Sequence, residues 1–197
     1  MNSRPTKYKT IKHYHEPGNF HELTFSCYLG IPLLANDAWC RMLSTAIARA
    51  FERLAFHLHA FVFMPEHVHL LAYPVAEPRV DGLLRAIKRP YSYRIKQRLI
   101  ESNSSLLDRL TVEERSGKHE FRFWQQGPGY DRNLETPDAV LASIDYIHNN
   151  PVRRGLCPTS DGWKWSSASF YASDGRDVDP DLPKISRLPA EFPAGEG

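Results

Sequence analysis

The chain has 197 residues, of which 42% are hydrophobic, so it can bury a core and is not a disordered polymer. Its formal net charge of +2 is too small to indicate nucleic acid as a partner by itself. Three scattered cysteines, Cys27, Cys40 and Cys157, form no disulfide framework and no CxxC metal motif, which favours a reducing cytoplasm. No apolar run approaches the ~18 residues of a membrane span and the polar N-terminus has no signal-peptide core, so we expect no membrane partner.

Composition divides the chain into three parts. Residues 1–18 are polar and basic and end at a Pro-Gly break, which indicates an arm that is either solvated or laid along a phosphate backbone. Residues 19–172 carry the periodic hydrophobic patterns of one domain. Residues 173–197 are rich in Asp, Pro and Gly and predict an irregular tail.

The domain begins with a strand and a helix. Residues 21–28 alternate apolar and polar side chains as a strand does, and apolar residues recur at helical spacing over 37–55 after an Asn36 cap. A tight antiparallel hairpin follows, with strands over 57–64 and 66–73 joined by a short Met-Pro-Glu turn.

The second strand of this hairpin carries two histidines one residue apart. Alternate side chains of a strand point to the same face, so His67 and His69 are expected to project side by side. A paired imidazole site on a strand is a candidate metal clamp.

A second helix is predicted over residues 79–100, with Pro90 kinking or interrupting it. Residues 101–118 are polar and indicate a loop with at most one helical turn, and a last strand region lies within 120–134. The face of the second helix that points away from the core is basic and holds Arg85, Lys88, Arg89, Arg94, Lys96 and Arg98.

A third helix is predicted over residues 136–150, ending there because the residue before Pro151 disfavours helical backbone. At ~100° per residue, Tyr146 lies opposite the core stripe, and Asn150 lies one turn further along the same face. From this helix alone, Tyr146 is either an ordinary half-exposed aromatic residue without a chemical role or a functional phenol with the amide of Asn150 beside it. The core stripe consists of Val140, Leu141, Ile144 and Ile147.

The order strand, helix, strand, strand, helix, strand, helix predicts an α+β fold. Its simplest form is a ferredoxin-like βαββαβ antiparallel sheet with helices on one face, followed by a further helix.

The chemistry of these side chains is compatible with phosphate transfer. A phenol such as that of Tyr146 can attack phosphorus and form a covalent phosphotyrosine. The amide oxygen of Asn150 beside the two imidazoles of His67 and His69 suits Mg²⁺ or Mn²⁺.

Two segments resemble a known family. Residues 65–71, Pro-Glu-His-Val-His-Leu-Leu, resemble the HUH motif of single-strand DNA nucleases. Residues 146–156, Tyr-Ile-His-Asn-Asn-Pro-Val-Arg-Arg-Gly-Leu, resemble the YIxxNPVRxGL signature of REP-associated tyrosine transposases, and the Trp-Ser-Ser stretch at 165–167 is similar to one that follows it there. The resemblance runs from about residue 20 to about residue 171 and is carried mainly by the tyrosine segment.

The resemblance implies a ferredoxin-like fold and an endonuclease of DNA transposition and recombination, which cuts single-stranded DNA at or near hairpin-forming repeats. It implies that His67, His69 and Asn150 hold Mg²⁺ or Mn²⁺ and that Tyr146 is the nucleophile. The helix with Tyr146 would then be the catalytic one. Related single-tyrosine transposases often act as dimers, so a homodimer is one expectation. The basic residues expected to contact DNA are Arg85, Lys88, Arg89, Arg94, Arg153 and Arg154.

Several residues compete for these roles. Tyr91 and Tyr93 lie in a basic segment and are rival nucleophiles, or else pack or stack on a base. Glu66 is either a solvated turn carboxylate or an acceptor that orients a ligand imidazole. His57 and His59 also alternate but lack the motif and are expected to be ordinary strand residues.

Two other function classes and one other kind of metal site remain open on the sequence. The chain is alternatively a nucleic-acid-binding module without catalysis, its sheet serving as a stacking platform. It is alternatively a metal-dependent phosphodiesterase that uses water as the nucleophile. A structural zinc site from His67, His69 and a cysteine is a further alternative.

Overall fold

The computed structural model of the chain describes residues 19–75, 79–127 and 129–189. The predicted arm at 1–18 and the last eight residues of the predicted tail lie outside them. The elements in chain order are β1 Phe20–Ser26, α1 Asp37–Arg53, β2 Phe56–Phe63, β3 His67–Pro74, α2 Val80–Glu101, α3 Leu106–Leu110, β4 Thr111–Arg115, β5 Lys118–Phe121, β6 Tyr130–Leu134, α4 Pro137–Arg153 and α5 Ala168–Ala172.

Four strands form one antiparallel sheet in the order β2-β3-β1-β6. The β2–β3 hairpin is the one predicted around Met64-Pro65-Glu66. The helices α1 and α2 are crossovers that place β1 and β3 in the centre and β2 and β6 at the edges. The predicted ferredoxin-like α+β fold is therefore confirmed.

Strand alternation gives the sheet two different faces. Leu23 and Phe25 of β1 and Val68 and Leu70 of β3 are buried with the apolar sides of α1 and α2. The alternate residues point to the other face, where Leu71 of β3 and Val62 of β2 pack with α4. The histidines at 67 and 69 share the face of Leu71 and therefore look toward α4.

Helices α2 and α4 each contain a proline. The sequence predicted that Pro90 kinks or interrupts α2 and that α4 ends before Pro151. Helix α2 continues through Pro90, and α4 continues through Pro151 to Arg153. Proline removes one backbone N–H, and with it one hydrogen bond, from the helix. Burial of the side chains around the proline stabilises the helix by more than this lost hydrogen bond. Around Pro90 these are Ile87 and Tyr91, and Pro151 is itself buried.

The polar stretch that was expected to be a loop contains a second, two-stranded sheet. Strands β4 and β5 pair from Thr111 with Phe121 to Arg115 with Lys118. The turn includes Gly117, whose φ of +79° is readily available to glycine. All but the ends of this hairpin are exposed, so no apolar alternation marks it in the sequence. The strand region expected over 120–134 correspondingly divides into β5 and β6.

The segment after α4 covers one edge of the sheet. The amide of Phe63 donates to the carbonyl of Trp165 (2.8 Å), and the amide of Ser167 donates to the carbonyl of Phe61 (3.0 Å). Further along, the amide of Ser186 donates to the carbonyl of Leu58 (2.8 Å). The described part of the predicted tail thus lies against β2 without forming helix or strand after α5. No helix among the described residues is long and apolar enough to cross a membrane.

Candidate active site

The two histidines of β3 stand side by side under α4. The ring centroids of His67 and His69 are 4.8 Å apart and their planes are nearly perpendicular. They keep this position because β3 is a central strand, paired with β1 on one side and β2 on the other. His69 is 5% exposed, whereas the side chain of His67 retains 15% of its exposure.

Each imidazole is held through its Nδ1 atom. Nδ1 of His69 lies 2.8 Å from Oγ1 of Thr24, which is the residue of β1 directly opposite it. Nδ1 of His67 lies 3.1 Å from Oε1 of Glu66, and the same oxygen accepts a hydrogen bond from Nη1 of Arg154 at 2.6 Å. Glu66 is therefore an acceptor that orients His67 and not a solvated turn carboxylate. The Nε2 atoms lie on the other side of each ring, and that of His69 meets a side chain of α4.

Helix α4 brings an amide and a phenol onto the histidines. Nδ2 of Asn150 lies 3.2 Å from Nε2 of His69, and the side chain is 7% exposed. A half-turn of this amide exchanges its nitrogen and oxygen, so the oxygen can take the same place. One turn earlier, the ring of Tyr146 meets His69 edge-on, with centroids 5.4 Å apart, and is 38% exposed. The i, i+4 spacing predicted from the sequence thus puts both side chains at one imidazole.

The position of α4 follows from its cap and its apolar stripe. Thr136 accepts a hydrogen bond from the amide of Ala139, and Pro137 begins the helix. Ile144 and Ile147 then pack on the sheet, which turns Tyr146 toward the open side. Of the predicted stripe, Leu141 is only half-buried, and Ser143 and His148 are buried beside it.

Burial keeps the histidines in their neutral form. Burial lowers the pKa of His69 to about 3, and the neighbouring His67 adds to that shift. Burial also lowers the pKa of His67, although Glu66 opposes the change. Burial alone would raise the pKa of Glu66, but Arg154 and His67 outweigh it and lower the pKa overall. At neutral pH the site therefore presents two neutral imidazoles, which is the form that binds metal ions.

The donor set fits a divalent cation. Nε2 of His69 meets the amide of Asn150, and the ring of His67 lies beside that of His69, with an oriented carboxylate behind it. The residues described contain no group of three or more His, Cys, Asp and Glu that could hold a metal. The alternative of a zinc site with a cysteine therefore has no counterpart among them: Cys27 belongs to the core on the opposite face.

The rival tyrosines lie away from the histidines. Tyr91 is 1% exposed in the core between α1 and α2, and its hydroxyl donates to the carbonyl of Trp39 at 3.2 Å. Tyr93 is 65% exposed on α2, behind the sheet. His59 is buried in β2 against Phe20 and Tyr73, as an ordinary strand residue.

The basic residues fall into two groups. Arg153 and Arg154 lie at the end of α4, where the guanidinium carbon of Arg153 is 5.4 Å from the ring centroid of Tyr146. The others are on α2, on the opposite side of the sheet, and the structure does not bring them to the histidines. Of these, Arg85, Arg89 and Arg94 are exposed, whereas Lys88 is half-buried with its Nζ atom 5.1 Å from the ring centroid of Phe25.

Thr24 and Arg154 have positioning contacts that the sequence does not reveal. Thr24 is 45 residues from His69, and only the β1–β3 register shows that they are neighbours. The salt bridge of Arg154 to Glu66 spans 88 residues. In the sequence, only the carboxylate of Glu66, directly before the histidine pair, indicates that an imidazole is held by a neighbouring side chain.

Comparison with known proteins identifies the fold. No family model and no curated protein matches the sequence. Among solved structures, the chain is similar to a REP-associated tyrosine transposase bound to a REP hairpin, with a TM-score of 0.66 and 18% identity over 94% of this chain and 96% of that one. It is also similar to a candidate transposase from Deinococcus radiodurans, with a TM-score of 0.41 and 16% identity over 73% of this chain and 97% of that one.

The similarity to the REP-associated tyrosine transposase shows that the two chains share one fold over nearly their whole lengths. By its name, that neighbour is a member of the REP-associated tyrosine transposases, the family that the HUH-like and tyrosine segments of this chain resemble. Sequence motifs and backbone geometry therefore lead independently to the fold of a REP-associated tyrosine transposase.

Proposed function

We propose that this chain is a transposase-like endonuclease and strand transferase that cuts single-stranded DNA at or near hairpin-forming repeats. One observation carries the proposal. The phenol of Tyr146 and the amide of Asn150 both lie against His69, whose neighbour His67 faces the same side. A nucleophile, a candidate metal-binding set and an opening to solvent thus occur together at one point.

His67, His69 and Asn150 would hold Mg²⁺ or Mn²⁺. When bound, such an ion polarises a non-bridging oxygen of the scissile phosphate and offsets its developing charge. Thr24 and Glu66 keep the Nε2 atoms directed at this position through their bonds to the opposite ring nitrogens. The proposal therefore gives them a supporting role without contact to DNA.

Tyr146 is the proposed nucleophile. Its phenolic oxygen attacks phosphorus and loses its proton, and the bond from phosphorus to the 3′ oxygen breaks. The 5′ phosphate stays on Tyr146, and the leaving strand gains the proton as a free 3′-OH. Attack by a 3′-OH on the phosphotyrosine reverses the step and joins DNA. Arg153, against the ring of Tyr146, is placed to attract the phosphate backbone.

The described chain supplies all of these groups by itself. Contacts of His69 with Tyr146 and Asn150 are made between β3 and α4 of one molecule. We propose that the site works within a single chain, so that a dimer, if it forms, is not needed to complete it. The bound REP hairpin of the structural neighbour supports a DNA hairpin as the partner.

The proposal is tested by trapping the covalent adduct. The protein is incubated with a hairpin oligonucleotide that has a single-stranded flank, in Mg²⁺ or Mn²⁺, and then denatured. We expect a slower-migrating protein–DNA band that is lost in Tyr146→Phe and retained in Tyr93→Phe. Metal removal with EDTA should abolish it as well.

The other outcomes identify the alternatives. Cleavage without an adduct would indicate a phosphodiesterase that uses water. Binding without cleavage would indicate a module that has no catalytic activity. An adduct that persists in Tyr146→Phe and disappears in Tyr93→Phe or Tyr91→Phe would overturn the assignment of the nucleophile.

A further inference from the structure

A row of three residues crosses the sheet at the candidate active site. Thr24 of β1 is paired with His69 of β3 on one side and with Tyr130 of β6 on the other. Residues directly opposite each other in an antiparallel sheet point to the same face. Tyr130 therefore faces the side of α4, with its Cα about 10 Å from that of His69, since each paired step spans about 5 Å.

The register that places Tyr130 depends on the glycine before it. Gly129 has a φ of +81°, and a Cβ atom there would lie 2.5 Å from the carbonyl oxygen of Thr24. Only glycine allows the chain to approach β1 so closely at this point. The position of Tyr130 is thus set by backbone contact and not by burial of its own ring.

Helix α4 does not cover this end of β6. It starts just after Leu134, which is 4% exposed, and lies mainly over β2 and β3. Along the same face of β6, the side chain of Arg132 is 48% exposed and Tyr130 is 49% exposed. These two side chains thus form an exposed strip of β6 beside α4. We call this strip, together with the adjoining Thr24 of β1 and Tyr146 of α4, the α4–β6 cleft.

A buried carboxylate of β1 links α4 to β6 at the Arg132 end of this surface. Glu22 is 6% exposed and accepts a hydrogen bond from the Ser143 hydroxyl of α4 at 3.0 Å. The same oxygen accepts from Nη2 of Arg132 at 2.9 Å. Arg132 is thereby fixed against the sheet, and its remaining N–H donors stay available at the exposed edge.

An exposed tyrosine on an edge strand is by itself common. Tyr130 differs because it lies in one row with Thr24 and His69, the residue that the ring of Tyr146 contacts. It also lies next to an arginine that is half-exposed and held by Glu22. Aromatic side chains on a sheet bind unpaired bases by stacking, and neighbouring arginines bind the phosphates between them. A nucleophile for single-stranded DNA needs its strand held on one side of the scissile phosphate.

We propose that the α4–β6 cleft binds the unpaired nucleotide next to the scissile phosphate. Tyr130 stacks on its base, and Arg132 binds the phosphate on its far side. This inference rests on the proposed function, because it takes single-stranded DNA as the ligand. It gives Tyr130 and Arg132 the role of positioning the strand for Tyr146 without taking part in bond breaking.

Binding is measured in a Tyr146→Phe background, so that the result does not depend on cleavage. 2-Aminopurine is placed in turn at each position of the single-stranded flank of the hairpin. We expect quenching at one position, loss of that quenching in Tyr130→Ala, and retention in Tyr130→Phe. Affinity should fall roughly 5- to 150-fold in Tyr130→Ala, the range for one lost base stack.

Tyr93→Ala is the matched control, because it removes another exposed tyrosine on the opposite side of the sheet. It should leave quenching and affinity unchanged. Quenching and affinity that are the same in Tyr130→Ala as in its parent would overturn the inference, even where the wild-type chain forms its covalent adduct. Absence of a Tyr146-dependent adduct in the wild type would instead overturn the proposed function.

Discussion

The buried histidine of β2 should make the protein sensitive to acid. His59 is 2% exposed and lies against the rings of Phe20 and Tyr73. Burial lowers its pKa to about 4, with the neighbouring His57 adding to the shift and the backbone of Ser186 opposing it. The folded chain therefore holds His59 neutral at a pH where the unfolded chain would protonate it.

The sign and size of the effect follow from this difference. The pKa of His59 is lower in the folded state than its ordinary value of 6.5. Between these two values the unfolded chain binds more protons, so stability falls as the pH falls from about 6.5 toward 4. Going from pH 7 to pH 5, His59 alone should cost about 2 kcal/mol in the free energy of unfolding.

Urea unfolding of the wild type and of His59→Phe at pH 7 and pH 5 isolates this contribution. Phenylalanine keeps the ring contacts and cannot be protonated, so the variant should lose about 2 kcal/mol less than the wild type on acidification. In melting temperature this is a difference of about 4–8 °C. His119→Gln, which alters an exposed histidine of β5, should behave as the wild type. Equal losses in the wild type and His59→Phe would refute the reasoning.

Other contacts give further expectations. Glu66→Ala removes the acceptor of His67 and should weaken Mn²⁺ binding roughly 10- to 100-fold by calorimetry, and an unchanged affinity would contradict the orienting role. Ile147→Ala opens the core beneath α4 and should lower the free energy of unfolding by about 2–5 kcal/mol, whereas a change well below this range would contradict the packing. Burial lowers the pKa of Lys88 to about 8, so Lys88→Met should stabilise the fold at pH 7 by about 1–3 kcal/mol, the upper value for the full shift and the lower one after screening by solvent. That gain should shrink as the pH rises above 8, and a loss at pH 7 would show that the charge stabilises the fold.

Local periodicity was enough to predict most of the fold and which side chains of the candidate site share a face. The alternation of His67 and His69 and the one-turn spacing of Tyr146 and Asn150 are properties of a strand and a helix, and the structure keeps both. The docking of α4 onto the face of His67 and His69 is not encoded locally. It depends on which sides of the sheet and of α4 are apolar over their whole length.

The predictions that were wrong concern elements whose support comes from elsewhere in the chain. The helix limit predicted before Pro151 followed a local preference that burial of neighbouring side chains overrides, and α2, predicted over 79–100 with a kink or interruption at Pro90, is not interrupted there. The exposed β4–β5 hairpin has no apolar alternation and looked like a loop. The contacts of Thr24 with His69 and of Arg154 with Glu66 join distant segments, so only the assembled sheet discloses them.

The edge of β2 has a consequence for association. Trp165, Ser167 and Ser186 bond to backbone groups along the outer side of that strand, including the amide of Phe61, which donates to the Ser167 hydroxyl at 2.9 Å. A sheet adds further strands at an edge whose backbone groups are unpaired, and these groups of β2 are already hydrogen-bonded to residues of the same chain. In the part of the chain that the structure describes, β6 is the remaining edge of the four-stranded sheet. Loss of the chain beyond Lys164 would uncover the backbone groups of β2 and open a hydrophobic route to aggregation along this strand.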